Sequence, residues 1–218
     1  MIRSVFLRLS AASLLALGLS ACGVTKQVSA PELLDLGTAP AVTASAPRAP
    51  VLLDELDVSP LLEGPSVIWR DGELGQPQRY AYFRWVAAPG QLIEQRLREV
   101  LSRNGPVLSR VATAQSLQLH VSVDRFEQVF VAGRSHAQLS MRALLTRSGQ
   151  VIDQLRIDEQ VAAPSDDAPG GASALRQATD QAVIRMNDWL ASRAETDPAN
   201  PANQGRNPST PTSGSLRR

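Results

Sequence analysis

The clearest pattern in the sequence is an alternation of apolar and polar side chains between residues 117 and 123. Every second residue there is apolar, as in a strand that has one face in a core and the other in water. The same period continues through residues 137–145 and 151–161, and glycines mark both connections. The spacing therefore predicts an antiparallel meander of three strands.

Two other segments have the period of a helix. Pro89 opens the first, which we expect to run to about Arg103 with its apolar residues on one buried face. The second is expected from about Ala172 to Ser192, with Ser173 as its N-terminal cap. Its apolar stripe is long enough to close over a sheet.

Three further apolar runs, at 51–58, 66–70 and 80–86, predict strands that are separated by glycine- and proline-containing turns. The element order is thus strands, a helix, three strands and a last helix. Such an order predicts an α+β fold, in which a mainly antiparallel sheet has two helices packed on one face.

The stretch RYAYFRW, residues 79–85, holds four of the nine aromatic side chains of the chain. Aromatic and basic residues combine on the strands of RNA-binding sheets, but the glycine of that motif is missing here. Strand alternation predicts that Ala81, Phe83 and Trp85 face the core. The residues between them form the other face: Tyr80, Tyr82 and Arg84.

This second face has two interpretations. It is either an ordinary half-exposed strand face or a surface that binds a partner, because tyrosine and arginine are frequent in interface hot spots. We therefore treat Tyr80, Tyr82 and Arg84 as candidate partner-binding residues.

The N-terminus has the organisation of a secretory signal peptide. A basic start is followed by an apolar run from Ala11 to Leu19 and by small residues up to Cys22. The apolar run is far shorter than the ~20 residues of a membrane-spanning helix. The last four residues, LSAC at 19–22, match the bacterial lipobox, whose cysteine is acylated and becomes the first residue of the mature chain.

An incidental cysteine in an ordinary signal peptide is the alternative. Cys22 is the only cysteine of the chain, so it cannot form an intrachain disulfide. We predict a signal peptide over residues 1–21 and lipidation at Cys22. Several acyl chains would anchor the protein stably to a membrane, since one chain binds only marginally.

The residue after the cysteine is Gly23, where lipoproteins of the inner membrane commonly have aspartate. The resemblance to the lipoprotein sorting pattern implies a location on the periplasmic face of the outer membrane. Both ends of the mature chain are rich in proline and small or polar residues, which predicts a flexible tether over 22–50 and a disordered tail over 194–218. Residues 51–193 are expected to form one domain of ordinary size.

The charge of the chain does not favour nucleic acid as a partner. Removal of Arg3 and Arg8 with the signal peptide changes the net charge from +1 to −1, whereas domains that bind phosphates usually have a basic excess.

The sequence shows no grouping of residues that would support catalysis. His120 and His136 lack the spacing of metal ligands, and a G-x-S-x-G elbow is absent. Asp166 and Asp167 could bind a cation in their loop, but a solvated loop is the simpler interpretation, as is a surface position for His120. We therefore predict a protein without enzymatic activity, cofactor or metal.

Several short motifs behind the lipobox are similar, in order and spacing, to those of a known family. They are LLEGPSVIWR at 61–70, the pair Arg84-Trp85 followed by Pro89, and DRFE at 124–127. Over residues 33–192 the chain resembles the auxiliary lipoprotein component of ABC-type transport systems, which is found with mammalian-cell-entry (MCE) lipid transporters and paraquat-inducible membrane proteins. It departs from the family at Leu34, where an early tyrosine is expected, and in its tail.

The resemblance implies a non-catalytic accessory subunit that is anchored to the outer membrane and works with MCE-type or ABC transporter subunits. Such systems transport phospholipids or other hydrophobic molecules across the cell envelope. Open strand edges of the sheet also allow self-association into a homo-oligomer. An outer-membrane assembly or structural lipoprotein that binds a β-barrel or the cell wall has the same anchor, and it is the alternative function.

Overall fold

The computed structural model describes residues 30–42, 48–110 and 116–196, and those from Pro31 onward belong to one unit. Nine strands, two α-helices and one short 3-10 helix (Pro60–Leu62) occur in these ranges. In chain order they are β1 (Glu32–Leu34), β2 (Val51–Leu53), β3 (Asp57–Val58), β4 (Ser66–Asp71), β5 (Gln78–Trp85), α1 (Pro89–Leu101), β6 (Val107–Leu108), β7 (Leu117–Val131), β8 (Arg134–Arg147), β9 (Gln150–Ala162) and α2 (Ala168–Thr196).

The antiparallel meander β7–β8–β9 is the frame of the sheet. Strand β8 pairs with β7 on one side and with β9 on the other. On the side of β7 away from β8, the strands β2, β3 and β4 pair with it in parallel at successive positions. Strand β5 then pairs antiparallel with β4, and β1 adds in parallel to β5. The predicted α+β fold with its meander is confirmed, and the predicted strand at 51–58 is two short strands, β2 and β3.

The helices cover the face of the sheet to which the apolar residues of the meander point. Leu119, Met141 and Ile157, one from each strand, are fully buried, as are Ile93 and Leu97 of α1. Burial of one such side chain contributes roughly 1.5–3 kcal/mol, so this layer is a major source of stability for the domain.

A register shift between Val123 and Arg125 changes the phase of β7. Phe126, at an even-numbered position, therefore joins the core and packs against Trp85, with 5.3 Å between ring centroids. Because alternate residues share a face, Gln128 also points to this side of the sheet. The shift thus turns Phe126 and the amide of Gln128 towards the helices, in place of the odd-numbered Glu127.

The structure differs from the prediction in the segment assigned to a tether. Residues 32–34 form β1, and Leu36 is buried. The buried guanidinium of Arg96 in α1 donates hydrogen bonds to the carbonyl oxygens of Leu36 (2.6 Å) and Gly37 (2.8 Å), and it pairs with Asp180 of α2. These contacts attach the chain before residue 38 to both helices.

The last helix also begins earlier than predicted. It starts at Ala168, so Ser173 lies inside it and the prediction of Ser173 as the cap is wrong. It runs to Thr196, and residues 197–218, most of the predicted tail, lie outside the described part. Neither helix in the described part is long and apolar enough to cross a membrane.

Candidate functional site

Strand β5 carries the aromatic cluster, and its side chains do not alternate regularly. Its pairing with β4 shifts between Ser66 and Ile68, so that a longer stretch of β5 lies opposite a shorter stretch of β4. As a result the rings of Tyr80 and Phe83 meet edge to face, with 6.0 Å between centroids. The prediction that these two residues point to opposite faces is wrong.

Tyr80 points into the domain. Its hydroxyl donates a hydrogen bond to Oε1 of Gln128 (2.9 Å), and its ring lies 6.1 Å from that of Trp69. Burial, helped by the negative charge of Asp167, raises the pKa of Tyr80 to about 12. Both the hydroxyl and the ring of Tyr80 thus make contacts within the domain.

Gln128 is the centre of a buried polar network. Its Nε2 donates to Oγ of Ser135 (2.8 Å) and to the carbonyl oxygen of Asp167 (3.1 Å), while its Oε1 accepts from Tyr80. The side chain is fully buried, so these partners compensate for its loss of water. The network joins β5, β7, β8 and the residue that precedes α2.

The acidic pair at 166–167 has local structural roles. Oδ1 of Asp166 accepts from the N–H (2.6 Å) and the hydroxyl (3.0 Å) of Ser135. Oδ1 of Asp167 accepts from the Ser165 hydroxyl (2.7 Å) and from the Gly170 N–H (2.8 Å), which caps α2. These bonds, that of Ser165 first, hold the pKa of Asp167 below its usual value. No group of His, Cys, Asp or Glu side chains in the described ranges is arranged to share a metal ion.

The two glycines at the start of α2 allow the helix to approach this network. A Cβ at Gly171 would lie 2.1 Å from Oε1 of Gln128, and one at Gly170 would lie 2.1 Å from the carbonyl oxygen of Ser165. A side chain at either position would force its neighbour to shift, so close packing explains the Gly-Gly pair.

The outer side of β5 forms an exposed patch with β1. Leu33 is paired with Arg84, so the two side chains share a face, and Tyr82 and Val86 are the alternate positions on either side of Arg84. Leu33, Tyr82 and Val86 are 61%, 66% and 52% exposed. The guanidinium of Arg84 folds back onto two backbone carbonyls of β5. We name Leu33, Tyr82, Arg84 and Val86 the edge patch.

The three candidate residues are therefore divided: Tyr82 and Arg84 lie in the edge patch, whereas Tyr80 belongs to the network. That they bind a partner stays a prediction. Leu33 and Val86 were not among the residues predicted from the sequence, although Val86 continues the period of two that starts at Tyr82. Cys22 lies outside the described residues, and its lipidation also stays a prediction.

A second candidate surface is a groove of about 760 Å³ on the outer face of the meander. Its floor is formed by side chains from the polar positions of the three strands, among them His120, Arg142 and Arg156. Glu55 and Asp57, from the segment between β2 and β3 and from β3, form an acidic wall.

The basic side chains of the groove each lie beside a carboxylate. Nδ1 of the exposed His120 lies 2.6 Å from a carboxylate oxygen of Asp54. Arg142 binds Asp124 through two nitrogens (3.1 and 3.0 Å), and Arg156 binds the Asp158 carboxylate at 2.7 Å. The groove therefore carries positive and negative side chains close together.

Comparisons with known proteins identify the family of the chain and relatives of its fold. A family model described as the ABC-type transport auxiliary lipoprotein component matches residues 32–187, from β1 into α2. The crystal structure of a DUF330-family protein from Xanthomonas campestris is similar, with a TM-score of 0.64 and 19% identity over 76% of this chain and 98% of that one.

The crystal structure of an uncharacterized protein is also similar, with a TM-score of 0.61 and 17% identity over 74% of this chain and 99% of the other. At such identities the structural likeness shows the fold alone. No curated protein matches the chain. The family model, however, covers most of the chain, including the motifs at 61–70 and 124–127 and both sides of β5. The chain belongs to the family of ABC-type transport auxiliary lipoprotein components.

Proposed function

We propose that the protein is a non-catalytic accessory subunit of an ABC-type transport system, anchored by an acylated Cys22 to the periplasmic face of the outer membrane. The observation that carries this proposal is the family match over residues 32–187. The lipobox at 19–22 and the glycine that follows it support the anchor and its location.

The partners are MCE-type or ABC transporter subunits, and the transported molecules are phospholipids or other hydrophobic compounds. Fully buried side chains such as Leu97, Met141 and Ile157 fill the layer between helices and sheet. A docking role therefore fits the domain better than that of a lipid carrier with an internal cavity.

The groove on the outer face of the meander is the surface that we assign to the transporter. It is open, carries both charges, and is lined by side chains of three rigid strands, which are good scaffolds for a binding site. Strand β9, at one edge of the sheet, provides a route to a homo-oligomer.

The experiment is a cross-linked pull-down of the full acylated chain from detergent-solubilised envelope, followed by mass spectrometry. We expect MCE-type or ABC transporter subunits. Gln154→Arg changes the groove, and Gln181→Arg is its matched control on an exposed position of α2. Recovery should fall with the first variant and stay unchanged with the second.

Two results would contradict the proposal. Recovery of outer-membrane or cell-wall components without any transporter subunit would favour a structural lipoprotein. An equal loss of transporter subunits with Gln154→Arg and Gln181→Arg would show that the groove is not the docking surface.

A further inference from the structure

We propose that the edge patch lies against the phospholipid surface of the membrane that carries the anchor. The inference rests on the proposed acylation of Cys22. It assigns Tyr82 and Arg84 a lipid surface as their partner, and it adds Leu33 and Val86 to the same contact.

The first argument is the length of the connection. Only residues 23–31 separate Cys22 from β1. A fully extended chain of this length reaches about 35 Å at ~3.5 Å per residue, whereas a domain of this size is about 40 Å across. Whatever conformation the connection takes, the first residue of β1 stays within about one domain diameter of the lipid surface.

The second argument is the position of the patch relative to that connection. Leu33 lies on β1 itself, and Tyr82 and Val86 lie on or directly after β5, the strand paired with β1. The short connection therefore holds these side chains near the membrane at a high effective concentration, which makes even a weak contact persist.

The third argument is the chemistry of the patch. Contact with the boundary between headgroups and acyl chains would remove Leu33 and Val86 from water. Tyrosine is favoured at this depth because its ring is apolar and its hydroxyl is polar.

The charges around the patch indicate which lipids it meets. Arg84 lies at its centre, and Asp35, two residues after Leu33 on the same segment, adds a carboxylate beside it. One cation with one anion complements zwitterionic headgroups such as phosphatidylethanolamine better than a strongly anionic surface.

The test uses the full acylated chain in vesicles of phosphatidylethanolamine and phosphatidylcholine. Because Cys22 is the only cysteine and acylation consumes it, the thiol of a Tyr82→Cys variant can be labelled alone with a nitrobenzoxadiazole fluorophore. Val151→Cys is the matched control, since Val151 is 64% exposed and lies on β9, the opposite edge of the sheet.

Lipids with a nitroxide at headgroup depth then report contact. We expect the label at residue 82 to lose emission by at least about twofold, as a group buried at the interface would, and the label at residue 151 to lose little. Adding Leu33→Glu and Val86→Glu to the Tyr82→Cys chain should remove this quenching, and both sites are exposed enough to tolerate the change.

The outcomes separate this inference from the anchor. If the chain does not float with the vesicles, the acylation proposal and the inference fail together. If it floats and the two labels are quenched equally, the inference alone fails. Protection of the label at residue 82 from aqueous iodide without quenching by lipid would show that a second copy or another protein covers the patch, which also overturns it.

Discussion

Tyr80 and Tyr82 are two residues apart on β5, yet they have opposite environments. The hydroxyl of Tyr80 is bound by a fully buried amide and its ring packs between aromatic neighbours. Tyr82 is 66% exposed, beside Leu33 and Val86. Alternation alone would have placed the two tyrosines on one face. The register shift against β4 separates them, so that one side of β5 packs against the domain and the other is exposed.

The largest effect should come from the inner side. Trp85→Ala removes a side chain that is 2% exposed and packs on Phe126, so the free energy of unfolding should fall by about 3–5 kcal/mol. Urea unfolding followed by circular dichroism measures it. Leu33→Ala, on the outer side, is the comparison, and a similar loss for both would abolish the distinction between the two sides.

The next effect should come from Gly171. An alanine in place of glycine in a helix usually stabilises by roughly 0.5–1 kcal/mol, but here the new Cβ would collide with Oε1 of Gln128. We expect Gly171→Ala to destabilise by about 1–3 kcal/mol, as overpacking does. Thermal and urea unfolding give the sign, and stabilisation would mean that Gln128 moves without cost.

A double-mutant cycle tests the same steric clash between a Cβ at residue 171 and the side chain of Gln128. Gln128→Ala alone should also destabilise, because the Tyr80 hydroxyl loses its acceptor and Ser135 loses one of its partners. Combined with Gly171→Ala, it should cost less than the sum of the two, since the truncated side chain leaves room for the Cβ. Strictly additive losses would show that the two residues do not interact.

A smaller effect is expected at the Tyr80 hydroxyl. Tyr80→Phe should cost about 1 kcal/mol, the net value of one hydrogen bond with its buried acceptor. In a Tyr82→Phe background Tyr80 is the only tyrosine of the chain. The absorbance of its phenolate should then titrate with a pKa of about 12 in the folded protein, against about 10 in urea.

This pKa also fixes a pH dependence. Because the folded state holds the proton more tightly than the unfolded state, the stability linked to Tyr80 is complete below pH ~10 and is lost as the pH rises towards ~12. Chemical unfolding at pH 9 and pH 11 should show a steeper loss for the chain with Tyr80 than for Tyr80→Phe. Equal losses would contradict the assignment.

The smallest effect on stability should come from Tyr82. Tyr82→Ser changes an exposed side chain, so the free energy of unfolding should stay within about 0.5 kcal/mol of the original. A loss as large as that of Tyr80→Phe would mean that the outer side of β5 also stabilises the domain.

The parts of the fold that were predictable are those set by local periodicity. The alternation at 117–123 and the helical spacing after Pro89 locate the meander and α1 because each pattern is complete within its own segment. Strand β1 was missed because three residues in a proline-rich segment carry no such period. Its formation depends on Phe83, Arg84 and Trp85, far along the chain.

The site was less predictable for the same reason. The division between Tyr80 and Tyr82 depends on how β5 pairs with β4, which no pattern within RYAYFRW reveals. Gln128 is in place because of a register shift in β7. The adjacent glycines at 170 and 171 were visible in the sequence, but only the packing of α2 on Gln128 explains them.

The hydrogen bonds of Arg96 have a mechanical consequence. A pulling force on the chain ahead of residue 30 would enter the domain through β1, a short edge strand that would peel first. Just beyond it, Arg96 holds the carbonyls of Leu36 and Gly37 and is itself fixed by Asp180. These contacts of Arg96 would therefore resist tension on the N-terminal segment and distribute the force over two helices. The domain could then be pulled towards a membrane without unfolding.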